Sequence, residues 1–287
     1  MLKIRSFFYY EFCRKESLKL NMLILAFFSF MIFDTFKIAI NLQKQGFEFK
    51  FWEFVLMVFI NPRNISIIMI LGFIIFINDL VLDYELTEQI FIRVNSRKIW
   101  WNTKVMVLIT KTLIFIASLT LYTLIFAFFN FKYDINWSKS ILGFKSNTSI
   151  SNDIIDSVKM LNTISHYQSA AKSFSEILVL LLLGCFCIGL FIMIITLLFN
   201  SRISGLFSSF FIWILCIIPN YAVNINHSII SKIIYNHINY ATHKFYFNNN
   251  SFSTLLSSLI YWVTLIIIFY YIGYCNSLKR NFIRSKK

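Results

Sequence analysis

The side chains in this sequence that could do chemistry are few, and their spacing rules out most of it. A membrane metalloprotease needs two histidines flanking a glutamate on one helix face, whereas His166, His227, His237 and His243 fall in polar stretches between apolar runs. Cys185 and Cys187 are two apart, which turns them to different faces of a helix, so they read as inert core thiols. A nucleotide site needs a glycine-rich loop closing on Lys-Ser or Lys-Thr to cradle phosphates, and the 7 glycines of the chain form none. No catalytic residue, cofactor or metal is expected here. What is left is charge inside apolar stretches, where it is costly and marks a cavity or a partner. Asp34 and Lys37, three apart, are placed to pair. Asp79 and Lys111 lie near inner span ends, and Glu176 opens a span. All are within snorkelling reach of water, so a structural role is the simpler reading and a substrate or gating role the alternative.

The elements that position these groups follow from composition. The chain is 58% hydrophobic and 14% charged, with a mean hydropathy of +0.69, far above the roughly half apolar content of soluble domains. Its apolar residues come in long unbroken runs. A bilayer core about 30 Å thick takes about 20 helical residues. Six runs qualify, at about 22–40, 65–82, 105–129, 177–199, 203–223 and 255–275. The expected fold is therefore a single all-α transmembrane domain of six helices. The run 51–60 holds Glu53 and stops at Asn61-Pro62-Arg63-Asn64, so it is too short to span and is expected as an interfacial helix. Trp52, Trp100, Trp101, Tyr133, Trp137, Tyr221, Tyr270 and Tyr274 cluster near proposed span ends, as half-wet rings do.

Lys and Arg set the orientation, because basic residues resist export. With a cytoplasmic N-terminus, the inner segments 1–21, 83–104, 200–202 and 276–287 hold 15 Lys and Arg in 58 residues, against 10 in 102 for the outer segments 41–64, 130–176 and 224–254. Both termini are thus expected inside a cell membrane. The net charge of +14 could suggest nucleic acid, but the inner clusters flank spans, where anionic lipid attracts them at about 1 kcal/mol each. The outer segments carry no cysteine, so no disulfide is expected.

Residues 1–21 interleave Phe7, Phe8, Tyr9, Tyr10 and Phe12 with Lys3, Arg5, Glu11, Arg14, Lys15 and Glu16, the pattern of a helix in the inner interface. The inner segment 83–104 is expected as another helix, along which Leu86, Ile90 and Val94 continue from Leu82 one apolar stripe at four-residue spacing. Asp83, Glu85 and Glu88 precede Arg93, Arg97 and Lys98, an order that complements the helix dipole. The outer loop 130–176 is polar and rich in Ser and Asn.

The run Asp83-Tyr-Glu-Leu-Thr-Glu-Gln through Arg93-Val-Asn-Ser-Arg-Lys-Ile-Trp-Trp-Asn-Thr-Lys104 resembles the inner segment of permease subunits of ATP-binding-cassette exporters of the type-two class. The N-terminal Tyr10-Glu11-Phe-Cys-Arg14-Lys15 run and the Pro219-bearing outer segment are similar to the same family. The resemblance implies that Asp83, Glu85, Glu88, Arg93, Ser96, Arg97 and Lys98 dock in a groove of a separate ATP-binding subunit, present in two copies. It also implies a second permease subunit, alike or different. Export of an amphipathic or hydrophobic substrate, such as an antimicrobial peptide, a drug or a lipid, is the function it implies. With only 2 prolines and 7 glycines, broken-helix ion sites of the secondary-transporter kind are not expected. Two rivals stand beside this reading: a membrane-embedded enzyme, which would need convergent acids, bases or metal ligands at one depth, and a non-transporting sensor or accessory subunit.

Overall fold

The computed structural model describes residues 17–61, 64–81, 96–143, 158, 161–162, 164–166, 168–199, 207–208, 211 and 252–279. Within them the chain is all-helical: α1 (Ser17–Lys44), α2 (Phe51–Ile60), a π-helical segment Asn64–Met69, α3 (Ile70–Val81), α4 (Arg97–Asn130), the single turn α5 (Lys139–Leu142), α6 (Ala170–Phe199) and α7 (Phe252–Lys279). There is no strand among the described residues, and one isolated bridge joins Lys50 to Lys132. Four helices are long and apolar enough to cross a bilayer: Met22–Lys44, Arg97–Asn130, Ala170–Phe199 and Ser258–Leu278. Helix is the form such sequences must take in lipid, because every backbone N–H and C=O has to be satisfied within its own segment. The chain is a multi-pass membrane protein.

The 34 residues of α4 rise about 51 Å, well beyond a 30 Å core. Nothing separates Arg97–Lys104 from the expected span 105–129; both belong to one helix, since no glycine or proline interrupts the run. Likewise α6 begins at Ala170, ahead of the expected 177. The span expected at 203–223 lies outside the described residues except for positions 207, 208 and 211, as does residue 219. Residues 1–16 and 82–95 also lie outside them.

The largest departure from expectation is α2. An interfacial helix keeps one face wet, yet nine of its ten residues are buried, Glu53 included. The helix is apolar on every face, and such a helix is stable only inside. It packs among α1, α4 and α6. Phe54 stacks on Phe131 at 4.5 Å and meets Phe36 edge-on at 6.5 Å, while Phe59 meets Phe174 at 5.4 Å. Asn61 ends it with ψ 114°, the extended conformation that a following proline imposes.

The chain then continues through Asn64–Met69 into α3 along the same neighbours. Phe54 lies against Phe126 near the end of α4, and Phe73 and Phe76 lie against Phe115, further back on that helix. Along α1, Phe54 faces Phe36 and Gly72 lies against Phe27. A straight helix from residue 54 to 72 would advance about 27 Å, whereas residues 36 and 27 of α1 are about 14 Å apart. The element from 54 to 72 therefore does not run parallel to α1 as one straight rod.

Candidate functional site

Ser96 caps the start of α4 in an extended conformation, its carbonyl accepting from the Trp100 N–H at 3.1 Å. From this first turn the Arg97 guanidinium donates to the carbonyl of Leu278 at the end of α7, where a cation also complements the helix dipole. One turn on, the Tyr270 hydroxyl donates to Asn102 Oδ1 at 2.8 Å. Between these two bonds the fully buried Trp101 lies on α7 at Gly273, where a Cβ would run into its ring. Glycine is required there by close approach, as is common where membrane helices touch. Tyr270 stacks on Tyr274 at 6.4 Å, completing an aromatic seam. The start of α4 and the end of α7 are thus joined by two hydrogen bonds and a close ring contact.

Of the residues expected to dock a partner, Arg97 is held in this contact, Lys98 is exposed and Ser96 is half-buried. Asp83, Glu85, Glu88 and Arg93 lie outside the described residues. Further along α4, Lys104 and Lys111 are buried, at 3% and 5% exposure. Their spacing of seven puts both on one face. The Lys111 ammonium stands 5.7 Å from the centroid of the Phe76 ring on α3, a cation–π contact that gains weight away from water. Position 79 is one turn beyond Phe76 on α3. Asp34 and Lys37 are not paired: Lys37 is exposed with its ammonium 4.7 Å over the Phe33 ring, and among the described residues no ion pair joins it to Asp34. Glu176 accepts from Gln168 Nε2 at 3.1 Å, and the Gln168 carbonyl accepts from Trp137 Nε1 at 3.0 Å.

A second polar cluster, absent from the sequence expectations, closes the opposite end. The Glu53 carboxylate, 1% exposed, accepts the Lys50 N–H at 2.8 Å and the Ser138 N–H at 2.5 Å. Glu53 thereby caps its own helix, as a glutamate at the third position does, and ties it to the segment after α4. The Lys50 ammonium meets Asp134 at 2.7 Å and the Asn136 carbonyl at 3.0 Å. Hydrogen bonding from Lys50, then from the Asn136 N–H, holds the Asp134 carboxyl below the usual range. Pairs such as 50 with 134 and 53 with 138 carry no local signal in a sequence.

Among the described residues no three His, Cys, Asp or Glu side chains converge on a common point. No protein family, no curated protein and no solved structure matches the chain.

Proposed function

We propose that the chain is the permease subunit of an ATP-binding-cassette exporter, with six spans, both termini cytoplasmic in the cell membrane, and ATP hydrolysed by a separate subunit. The observation that favours this most is the lock between the start of α4 and the end of α7. The acidic-then-basic segment 83–96 feeds directly into it. A partner that moved this segment would move two spans together, which suits rigid-body motion of helix bundles. The chain has no phosphate-binding loop of its own, so the work would come from outside. In this reading Asp83, Glu85, Glu88, Arg93, Ser96 and Lys98 face the ATP-binding subunit, and Arg97 is the strut that passes the displacement to α7. The broken element 51–81 and residues 203–223 complete the six crossings. Cargo of amphipathic or hydrophobic character, a peptide, drug or lipid, suits the Phe-rich spans.

Purification of the tagged chain from mild detergent, beside its Glu88→Arg, Arg93→Glu variant, tests this reading. Copurification of an ATPase with the native chain, lost in the variant through reversed docking charges, is the expected outcome. Absence of any ATPase when neighbouring genes are expressed would sink the proposal and leave a sensor or membrane enzyme.

A further inference from the structure

We infer that the π-helical segment Asn64–Met69 is a rotary joint, about which α3 turns while α2 stays fixed. The first observation is that α2 is pinned at its outer end. Glu53 takes the N–H groups of Lys50 and Ser138, the Lys50 ammonium holds Asp134, and the Phe51 N–H donates to the Lys132 carbonyl at 3.1 Å. Turning α2 would break buried hydrogen bonds, so rotation in this element has to be taken up below it.

The second observation is the segment itself. A π turn, bonded from i to i+5, holds one residue more than an α turn, with poorer hydrogen-bond geometry. Returning it to α geometry passes the surplus residue along and rotates everything beyond it by about 100°, with a shift of about 1.5 Å. The surface that would repack is aromatic: Phe73 and Phe76 against Phe115, at 5.4 and 5.7 Å, with Lys111 over Phe76.

The third observation is an acceptor left unmatched at the head of the joint. Asn64 Nδ2 donates to Thr35 Oγ1 at 2.8 Å and more weakly to the Val58 carbonyl at 3.4 Å, while Thr35 Oγ1 gives its own proton to the Met31 carbonyl at 3.0 Å. These two acceptors fix which end of the amide is the nitrogen. Asn64 is fully buried, and its Oδ1 has no hydrogen-bond partner among the described residues. A buried acceptor without a donor costs free energy that a second arrangement can recover. Asn64 bridges the fixed half, through Val58, and the neighbouring α1, through Thr35. It is the catch of the joint.

What would drive the joint rests on the permease reading, because α3 leads into the 83–96 segment. Its existence does not, and the test uses the chain alone in lipid nanodiscs, without partner, nucleotide or cargo. With Cys13, Cys185, Cys187, Cys216 and Cys275 replaced by serine, spin labels at Asn78→Cys on α3 and Met106→Cys on α4 report the rotation. Two separate distances are expected, collapsing to one when Ser66 is deleted to restore an α ladder. Hydrogen–deuterium exchange of the unlabelled native chain is the companion measurement. Amides of 65–69 should exchange about tenfold or more faster than those of 54–60 and 72–80, through local opening. A single narrow distance in the chain that keeps Ser66, or equal protection across 54–80, overturns the joint. Loss of ATPase copurification alone would overturn the permease reading and leave the joint standing.

Discussion

Glu53 is the residue whose environment differs most from what its neighbours in sequence suggest. In the run Phe51–Ile60 it reads as a charge within a short interfacial helix, yet it is the buried cap that holds the stretch in place. In Glu53→Gln one oxygen becomes an amide NH2, which must then face the N–H of either Lys50 or Ser138. Loss of a hydrogen bond to a charged acceptor costs about 1.5–3 kcal/mol, part of which is returned because the variant no longer buries a charge. A lowered melting temperature in detergent is expected at neutral pH. Asp134 carries a pH dependence of definite sign: its lowered pKa contributes stability above the unfolded value of about 3.9, and this is lost only as pH falls through the folded value. A melting temperature of Glu53→Gln equal to that of the native chain would remove Glu53 as the cap that holds α2.

At the scale of elements, what could be read in advance and what could not divides along a physical line. α1, α4, α6 and α7 are uninterrupted apolar runs, and length alone identifies them. The two-piece element 51–81 was hidden because Asn61-Pro62 reads equally as a stop or as a bend, and only packing decides. Its apolarity on all sides was the available clue. Helix contacts are equally silent in sequence: Gly273 is one of 7 glycines, and nothing marks it as the seat of Trp101. Gly273→Ala should force that ring out of place and cost about 1–3 kcal/mol through overpacking. Trp101→Leu in the same chain should return much of the loss, since the two changes share one contact. Thermal denaturation of the four chains gives the coupling directly, and additive effects would mean that Trp101 and Gly273 do not press on each other.

For the whole molecule the charge bias and the two polar clusters make a joint claim. In the orientation proposed above, basic residues place the segment before α4 inside. On that proposal α4 carries the Glu53, Lys50 and Asp134 cluster to the outer surface and the Arg97 lock to the cytoplasmic one. An assembly tied at both ends has two sets of bonds that a conformational cycle must respect or exchange. The outer set is closed by a buried carboxylate and the inner set by a guanidinium on a helix end. This asymmetry has a simple check in a cysteine-free background. Lys139→Cys, beside the outer cluster, should react with a membrane-impermeant maleimide in intact cells. Lys98→Cys, exposed at the start of α4, should react only after permeabilisation. The reverse pattern would invert the chain, putting Asp83, Glu85 and Glu88 out of reach of any cytoplasmic ATPase and removing the basis for a permease. Labelling of both positions from outside would mean that α4 does not cross. The expected pattern fixes the side on which a partner must bind, and so makes the copurification experiment decisive about the segment rather than about the chain in general.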